Sequence, residues 1–311
     1  MNRGLFFFSG LATVTAVVVA ACGGSTDSAL TDPNASGDGG TTTTADGAAA
    51  SGDGSAGTDG GSTTSTGEKF SFFVTSYKVL QELSGSTQGF GGDLRFGETG
   101  PGAGLRGADK ICATIAEKSL PGAGQKTWRA FLSAADDGTG KPVNAIDRIG
   151  SGPWYDRLGR LFASTKANAA NTRPLDADPA IKNDFPNEDG VPNHQPDPNK
   201  PAVDNHDMLT GSTTTGTLYA ANATCLDWTS AKGDTATEGK PRVGHSWPRS
   251  GGPGGGGGGG GGSGENWMSA LTESGCKAGA NLVEMGPPIP TEVTVGSGGG
   301  YGGFYCFALQ P

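Results

Sequence analysis

Apolar positions in this chain come as one early run, vanish over a long polar tract, and return abruptly. The run spans Leu5 to Val19, residues 23–67 are almost entirely Gly, Ser, Thr, Ala and Asp, and then Phe70, Phe72, Phe73, Val74, Tyr77 and Leu80 follow within eleven residues. Phe70 to Val74 predicts an opening strand. Ala108, Ile111, Cys112, Ile115 and Ala116 recur at the three- and four-residue spacing of an amphipathic helix, which Pro121-Gly122 ends. Trp128 to Leu132 reads as a buried strand and Val143 to Ile149 as a short helix closed by Gly150. Leu161 to Ala163, Met208 to Thr210, Leu218 to Ala220, Leu226 to Thr229 and Tyr305 to Leu309 read as further short strands. Residues 171–207 hold seven prolines among many Asp and Asn, which predicts irregular backbone. Loops of that length are usually functional or mobile. Residues 251–264 are nearly pure glycine and read as a disordered insertion. Helices and scattered short strands together make the fold class α+β.

The first residues have the build of a secretory signal: Arg3, an apolar stretch too short to span a bilayer, and small residues before a cysteine. Val19-Ala20-Ala21-Cys22 resembles the lipobox of bacterial lipoproteins. The resemblance implies a signal peptide over residues 1–21 and lipid (palmitate) on Cys22 as the mature N-terminus, a stable membrane anchor when several acyl chains are attached. Gly23 stands where an Asp would favour retention at the inner membrane, so the outer membrane is the expected location. Residues 22–67 cannot bury enough surface to fold and make a flexible linker, with a root-mean-square reach of roughly 35–40 Å. The formal net charge is −9; six acids and no base lie in the linker, which leaves −4 on residues 68–311. Those residues suffice for one domain with a well-buried core. Nucleic acid is not an expected partner in this compartment.

Four cysteines remain after Cys22: Cys112, Cys225, Cys276 and Cys306. An even number in an exported chain predicts two disulfides, and sequence alone leaves three pairings open. A metal is the rival use, but no two of these cysteines stand at CxxC spacing and the three histidines are far apart in sequence. Gly104-Leu-Arg-Gly-Ala-Asp109 with Ile111-Cys112, and Trp128-Arg-Ala-Phe-Leu-Ser133, resemble the start of the endostatin domain of collagen. Gly152-Pro-Trp-Tyr155, Leu209-Thr-Gly-Ser212, Thr224-Cys-Leu-Asp-Trp228, Gly244-His-Ser-Trp247, Gly275-Cys276 and Tyr305-Cys-Phe307 continue in that family's order. Over residues 70–309 the chain is similar to bacterial endostatin-like surface lipoproteins. The resemblance implies a C-type-lectin-like domain with long irregular loops, nested disulfides joining Cys112 to Cys306 and Cys225 to Cys276, and association with host matrix proteins or similar extracellular partners.

No motif spells out a catalytic constellation. His194, His206 and His245 read as solvated or capping residues, and endostatin's zinc histidines lie near its N-terminus, where this domain has none. Gln195-Pro196-Asp197 matches the tripeptide by which some C-type lectins bind calcium and galactose, and Asp204 and Asp207 follow as oxygen ligands. The tripeptide precedes the strand at Leu209 to Ser212 that it should follow, which argues against the match. Asp176, Asp178, Asp184, Glu188 and Asp189, taken with Asp197, Asp204 and Asp207, offer a second calcium arrangement, for which a solvated acidic loop is the simpler account. Calcium is thus the one candidate cofactor. Arg106, Arg129, Arg148, Arg157 and Arg160 are candidates for an anionic-glycan patch, against which stands their pairing with Asp109, Asp147 and Asp156. The five tryptophans are expected in the core or packing loops. The sequence therefore predicts a non-enzymatic binding or adhesion module on the outer envelope, directed at extracellular protein or polysaccharide. A structural envelope protein without soluble ligand and an enzyme with a cryptic site are the alternatives. Mass spectrometry of the N-terminal peptide is expected to find a multiply acylated Cys22, and Cys22→Ser is expected to move the protein out of the membrane fraction.

Overall fold

The aromatic cluster that opens the folded part forms β1 (Phe72–Val74), with all three side chains buried. The computed structural model describes residues 69–247, 266–283 and 286–311; the signal segment, Cys22, the linker and the glycine insertion lie outside the described residues. A helix that the sequence pattern did not announce, α1 (Tyr77–Ser84), follows at once. Ser76 starts it by accepting a hydrogen bond from the Val79 amide, and Gly85 closes it with a positive φ. The predicted amphipathic helix is α2 (Ala103–Ser119), whose buried face includes Leu105, Ala108, Ile111, Cys112, Ile115 and Ala116. Gly104 and Gly107 lie on the same face for a different reason. A Cβ on Gly104 would stand 2.1 Å from the Asp227 carbonyl oxygen, and one on Gly107 would stand 2.2 Å from the Leu94 and Arg95 carbonyls. The Gly-Leu-Arg-Gly motif is therefore a docking surface for two backbone segments.

Next come β2 (Trp128–Ala130), α3 (Ala145–Arg148), β3 (Trp154–Tyr155), β4 (Leu161–Ala163), α4 (Lys166–Ala169) and β5 (Asp207–Leu209). Cys225–Trp228 forms a single turn, α5, followed by α6 (Thr235–Glu238), β6 (Arg242–His245), β7 (Leu271–Thr272) and β8 (Gly300–Ala308). Where the sequence predicted a strand over Leu226 to Thr229, the chain is left-handed, with φ of 51°, 54°, 53° and 66° at Cys225, Leu226, Asp227 and Trp228. Each such residue without a glycine costs roughly 1–2 kcal/mol, so the turn persists only because its surroundings hold it. Asp227 accepts from the amides of Ala135 and Asp136, Trp228 is buried and donates to the Ser133 carbonyl, and Cys225 is tied by its disulfide. The strand expected at Leu218 to Ala220 is reduced to one bridge between Ser212 and Leu218. The proline-rich stretch before β5 is irregular, as expected.

β8 organises the main sheet, whose strands run β1, β8, β5, β6, β7 with β2 also paired to β8. Antiparallel β1 matches Phe72 to Phe307 and Val74 to Tyr305, while antiparallel β2 matches Trp128 to Ala308 and Ala130 to Cys306. Both edges of the C-terminal half of β8 are thus filled. Parallel β5 takes its N-terminal half, matching Asp207 to Gly300 and Leu209 to Phe304 with a register shift between. A Cβ on Gly300 would stand 2.7 Å from the Asp207 carbonyl oxygen, so glycine permits that approach.

Phe307 anchors the core, with ring centroids 5.0 Å from Phe72, 5.4 Å from both Trp154 and Phe162, and 6.0 Å from Phe131. Trp128, Trp154, Trp228 and Trp267 are fully buried, and each indole N–H donates to a backbone carbonyl. Cys112 of α2 is bonded to Cys306 of β8, and Cys225 to Cys276, the nested pattern that the family resemblance implies. No helix among the described residues is long and apolar enough to cross a membrane. The bridged residues are 194 and 51 apart, so the chain-entropy model gives roughly 5 and 4 kcal/mol as upper figures. Replacing both members of the Cys112 pair by Ala should lower the midpoint of guanidinium unfolding more than replacing the Cys225 pair.

Candidate functional site

The sheet register places chemistry where the sequence did not. β5 and β6 are antiparallel with Asp207 directly opposite His245, and the Asp207 carboxylate lies 2.9 Å from His245 Nε2. His206, immediately before β5, brings its Nε2 to 3.8 Å from the same oxygen. The two imidazole rings meet edge to face, centroids 4.5 Å apart. Beyond β7, which pairs with β6, Glu273 packs its carboxyl against Asp207, with its other oxygen accepting from Ser297 Oγ at 2.5 Å and the Gly298 amide at 2.8 Å. His206, Asp207 and Glu273 are wholly buried and His245 is nearly so.

Burial acts on both carboxyls, with opposite outcomes. It pushes Glu273 well above the usual carboxylate range, and the charge of Asp207 adds to the shift. For Asp207 burial also acts upward, but the charges of His245 and His206, with hydrogen bonds from His245 and Glu273, outweigh it and hold the group below its ordinary value. Glu273 therefore holds a proton more readily than Asp207, whose carboxylate faces the imidazoles. His206 is oriented from behind, because its Nδ1 is hydrogen-bonded to the Asp204 carbonyl. A carbonyl only accepts, so Nδ1 carries a proton. Towards solvent, Trp247 packs on His206 and stacks flat on His194, centroids 4.5 Å apart, and His194 Nδ1 lies 2.6 Å from Asp184. Three histidines expected at the surface thus converge on one corner. No local motif announces this, since the strand pairing that joins them spans 39 residues between His206 and His245.

Of the candidate calcium residues only Asp207 puts its carboxylate in this arrangement, and the others are spread over separate local contacts. Asp197 sits in an exposed loop, accepting from the Asn199 amide, and Gln195 donates to the Pro201 carbonyl. Asp204 contributes its backbone to the histidine corner, whereas Asp207 is in β5. The remaining loop acids are taken up locally: Asp176 by Ser164 and Asn168, Asp178 by the Ala180 amide, Asp184 by His194, and Glu188 by the amide and hydroxyl of Ser76. Asp189 is two residues from Asn187, whose side chain accepts its amide. Among the described residues the one group of three or more His, Cys, Asp or Glu with mutually close ligand atoms is His206, Asp207 and His245, all within 4.8 Å.

The five arginines do not form a free patch. Arg148 is almost buried and grips both oxygens of Asp109 at 2.8 Å, and Arg129 reaches the same carboxylate at 3.3 Å. Arg160 pairs with buried Asp156 at 2.6 Å, Arg157 bonds the Ser119 carbonyl and hydroxyl, and Arg106 donates to the carbonyls of Thr99 and Pro101. Asp147 accepts from Asn144 instead of an arginine. Two shallow depressions mark the surface. The larger, of about 450 Å³, is lined by Gln88, Lys277 to Asn281 and Thr291 to Thr294, beside the Cys225–Cys276 disulfide. The smaller, of about 290 Å³, lies between Asp93 and Thr99.

No protein-family model, curated protein or solved structure matches this chain. Burial pushes the Asp109 carboxyl above its usual range despite Arg148, and lowers the Arg148 guanidinium, so each depends on the other for its charge. Asp109→Ala should therefore destabilise the fold by about 3–5 kcal/mol, the cost of leaving a buried charge uncompensated. Urea unfolding at neutral pH measures it.

Proposed function

We propose that this protein is an envelope lipoprotein whose C-type-lectin-like domain, related to the endostatin-like surface lipoproteins, binds extracellular polysaccharide without chemical conversion. Lipid on Cys22 anchors it to the outer membrane. The observation that carries the binding reading is the division between interior and surface. The one close cluster of His and Asp ligand atoms among the described residues is buried, while the larger surface depression is lined mainly with amide, hydroxyl and single charged groups. Gln88, Asn281, Thr291 and Thr294 offer the donors and acceptors that sugar hydroxyls require, and Lys277 and Glu292 add one charge of each sign. Backbone underlies that surface firmly: Lys277 bridges to Thr294, and Gln88 accepts from the Ala280 amide at 3.1 Å.

The arginine-rich region is the lesser candidate, because its guanidinium groups already hold carboxylates and carbonyls. Binding in the groove should accordingly depend only weakly on salt, whereas arginine-driven binding would fall steeply with it. The test is a glycan and matrix-protein array probed with the full chain, with calcium and then with chelator. Retention of polysaccharide that survives chelator and high salt, and falls at least tenfold in Asn281→Ala with Thr291→Ala, is the expected result. Retention only of matrix protein, or loss confined to Arg129→Ala, would replace this reading. No retention by folded protein would favour a structural role in the envelope.

A further inference from the structure

We propose that His206, Asp207 and His245 form a structural site for a transition-metal dication of the zinc class, buried where β5 and β6 meet. This goes beyond the binding role, which needs no metal. The argument begins with geometry. His206 Nε2 and His245 Nε2 approach one carboxylate oxygen of Asp207 at 3.8 and 2.9 Å, and the three ligand atoms lie within 4.8 Å of one another. Tetrahedral ligands about 2.0–2.2 Å from zinc lie roughly 3.3–3.5 Å apart, which falls between those separations. The remaining separation is within 4.8 Å, so side-chain movements of about an ångström or less would bring all three donors to that spacing.

The donor set selects the class of metal. Two imidazoles and a carboxylate suit zinc and its first-row neighbours, while calcium and magnesium take all-oxygen shells. Thiolate does not compete, since the cysteines among the described residues are in disulfides. The surroundings have the form that metal centres use. The Asp204 carbonyl holds Nδ1 of His206 and so directs Nε2 at the cluster, where a metal ion would take the place of any proton on that nitrogen. Glu273 lies behind Asp207 and is itself anchored by Ser297 and the Gly298 amide. The backbone is fixed equally well: β5 and β6 hold Asp207 opposite His245, and the Ser246 amide donates to the His206 carbonyl. A site made this way loses little freedom when the ion enters. Three protein donors leave a fourth position for a water or for the Glu273 carboxyl beside Asp207, and the burial of the cluster fits a metal that stabilises the fold.

The experiment uses the full chain, stripped with chelator and then titrated with zinc chloride alone, with calcium chloride as the comparison. Expected are one zinc per chain, a rise in Tm with zinc and not with calcium, and zinc-edge absorption showing two imidazole neighbours. His245→Gln should weaken zinc binding by more than the 10–100-fold that loss of an outer-shell partner costs, and should abolish the Tm rise. Because that variant removes a buried group, His194→Gln serves as the partner control: it lies outside the proposed ligand set and should leave zinc affinity within about threefold. Should either histidine variant fail to fold, the cobalt(II) spectrum of the wild-type chain decides instead, four-coordinate absorption supporting the site and six-coordinate absorption opposing it. Wild-type protein that takes up no zinc, or a His245→Gln chain that binds it undiminished, overturns the proposal.

Discussion

A strand with all nine residues buried has no solvent to satisfy its backbone, so every hydrogen-bonding group on both edges of β8 requires a partner from elsewhere in the chain. That requirement sets the rest of the arrangement. β1 and β2 come from the first third of the domain and occupy opposite edges of the C-terminal half, while β5 supplies the N-terminal half. Side chains on the strand do the same for packing, with Phe307 and Tyr305 joining Trp267, Phe131 and the β1 aromatics, and Cys306 fastening α2. Because the last strand completes contacts begun two hundred residues earlier, the fold is rich in long-range closures, and a covalent bridge between its ends offsets part of their entropy.

Little regular structure surrounds this centre, and the loops are held by specific devices. The left-handed turn at Cys225 to Trp228 shows how. Its unfavourable backbone is fixed by a disulfide, a buried indole and one carboxylate that accepts amides from the 135–136 segment, all pressed against a glycine of α2. Glu188 does similar work across 112 residues by capping α1 through Ser76. Loops fixed in this way present a surface whose shape changes little on contact, which lowers the ordering cost of binding.

How much of this the chain declares beforehand depends on whether the signal is local. The three-and-four spacing of Ala108 to Ala116 is a property of one helix face, and it places α2 correctly. Leu161 to Ala163 is found for the same reason. The left-handed turn is invisible, because Leu226-Asp227-Trp228 carries ordinary side chains and its conformation is imposed from outside. β8 extends five residues earlier than its apolar pattern suggests, since Gly300, Gly302 and Gly303 are needed for close approach and supply no hydrophobic periodicity. The histidine corner belongs to the same class. His206 and His245 look like polar residues in turn-rich sequence until the register of two short strands makes them neighbours, while most of the loop acids, close in sequence, make separate local contacts.

Burying two imidazoles and two carboxyls in the middle of a sheet carries a desolvation penalty of several kcal/mol for each charged group, and a well-packed apolar set of equal volume would commonly be as stable or more so. Stability alone does not explain the composition of this corner. The pairing of Asp207 with His245 recovers part of the penalty. Even so, the Asp204 carbonyl spends the Nδ1 proton of His206 on orientation, an expense that serves to aim Nε2 and adds nothing to packing. Among the species small enough to fit between atoms less than 5 Å apart, a dication is the one whose charge offsets the desolvation of the ligands that surround it.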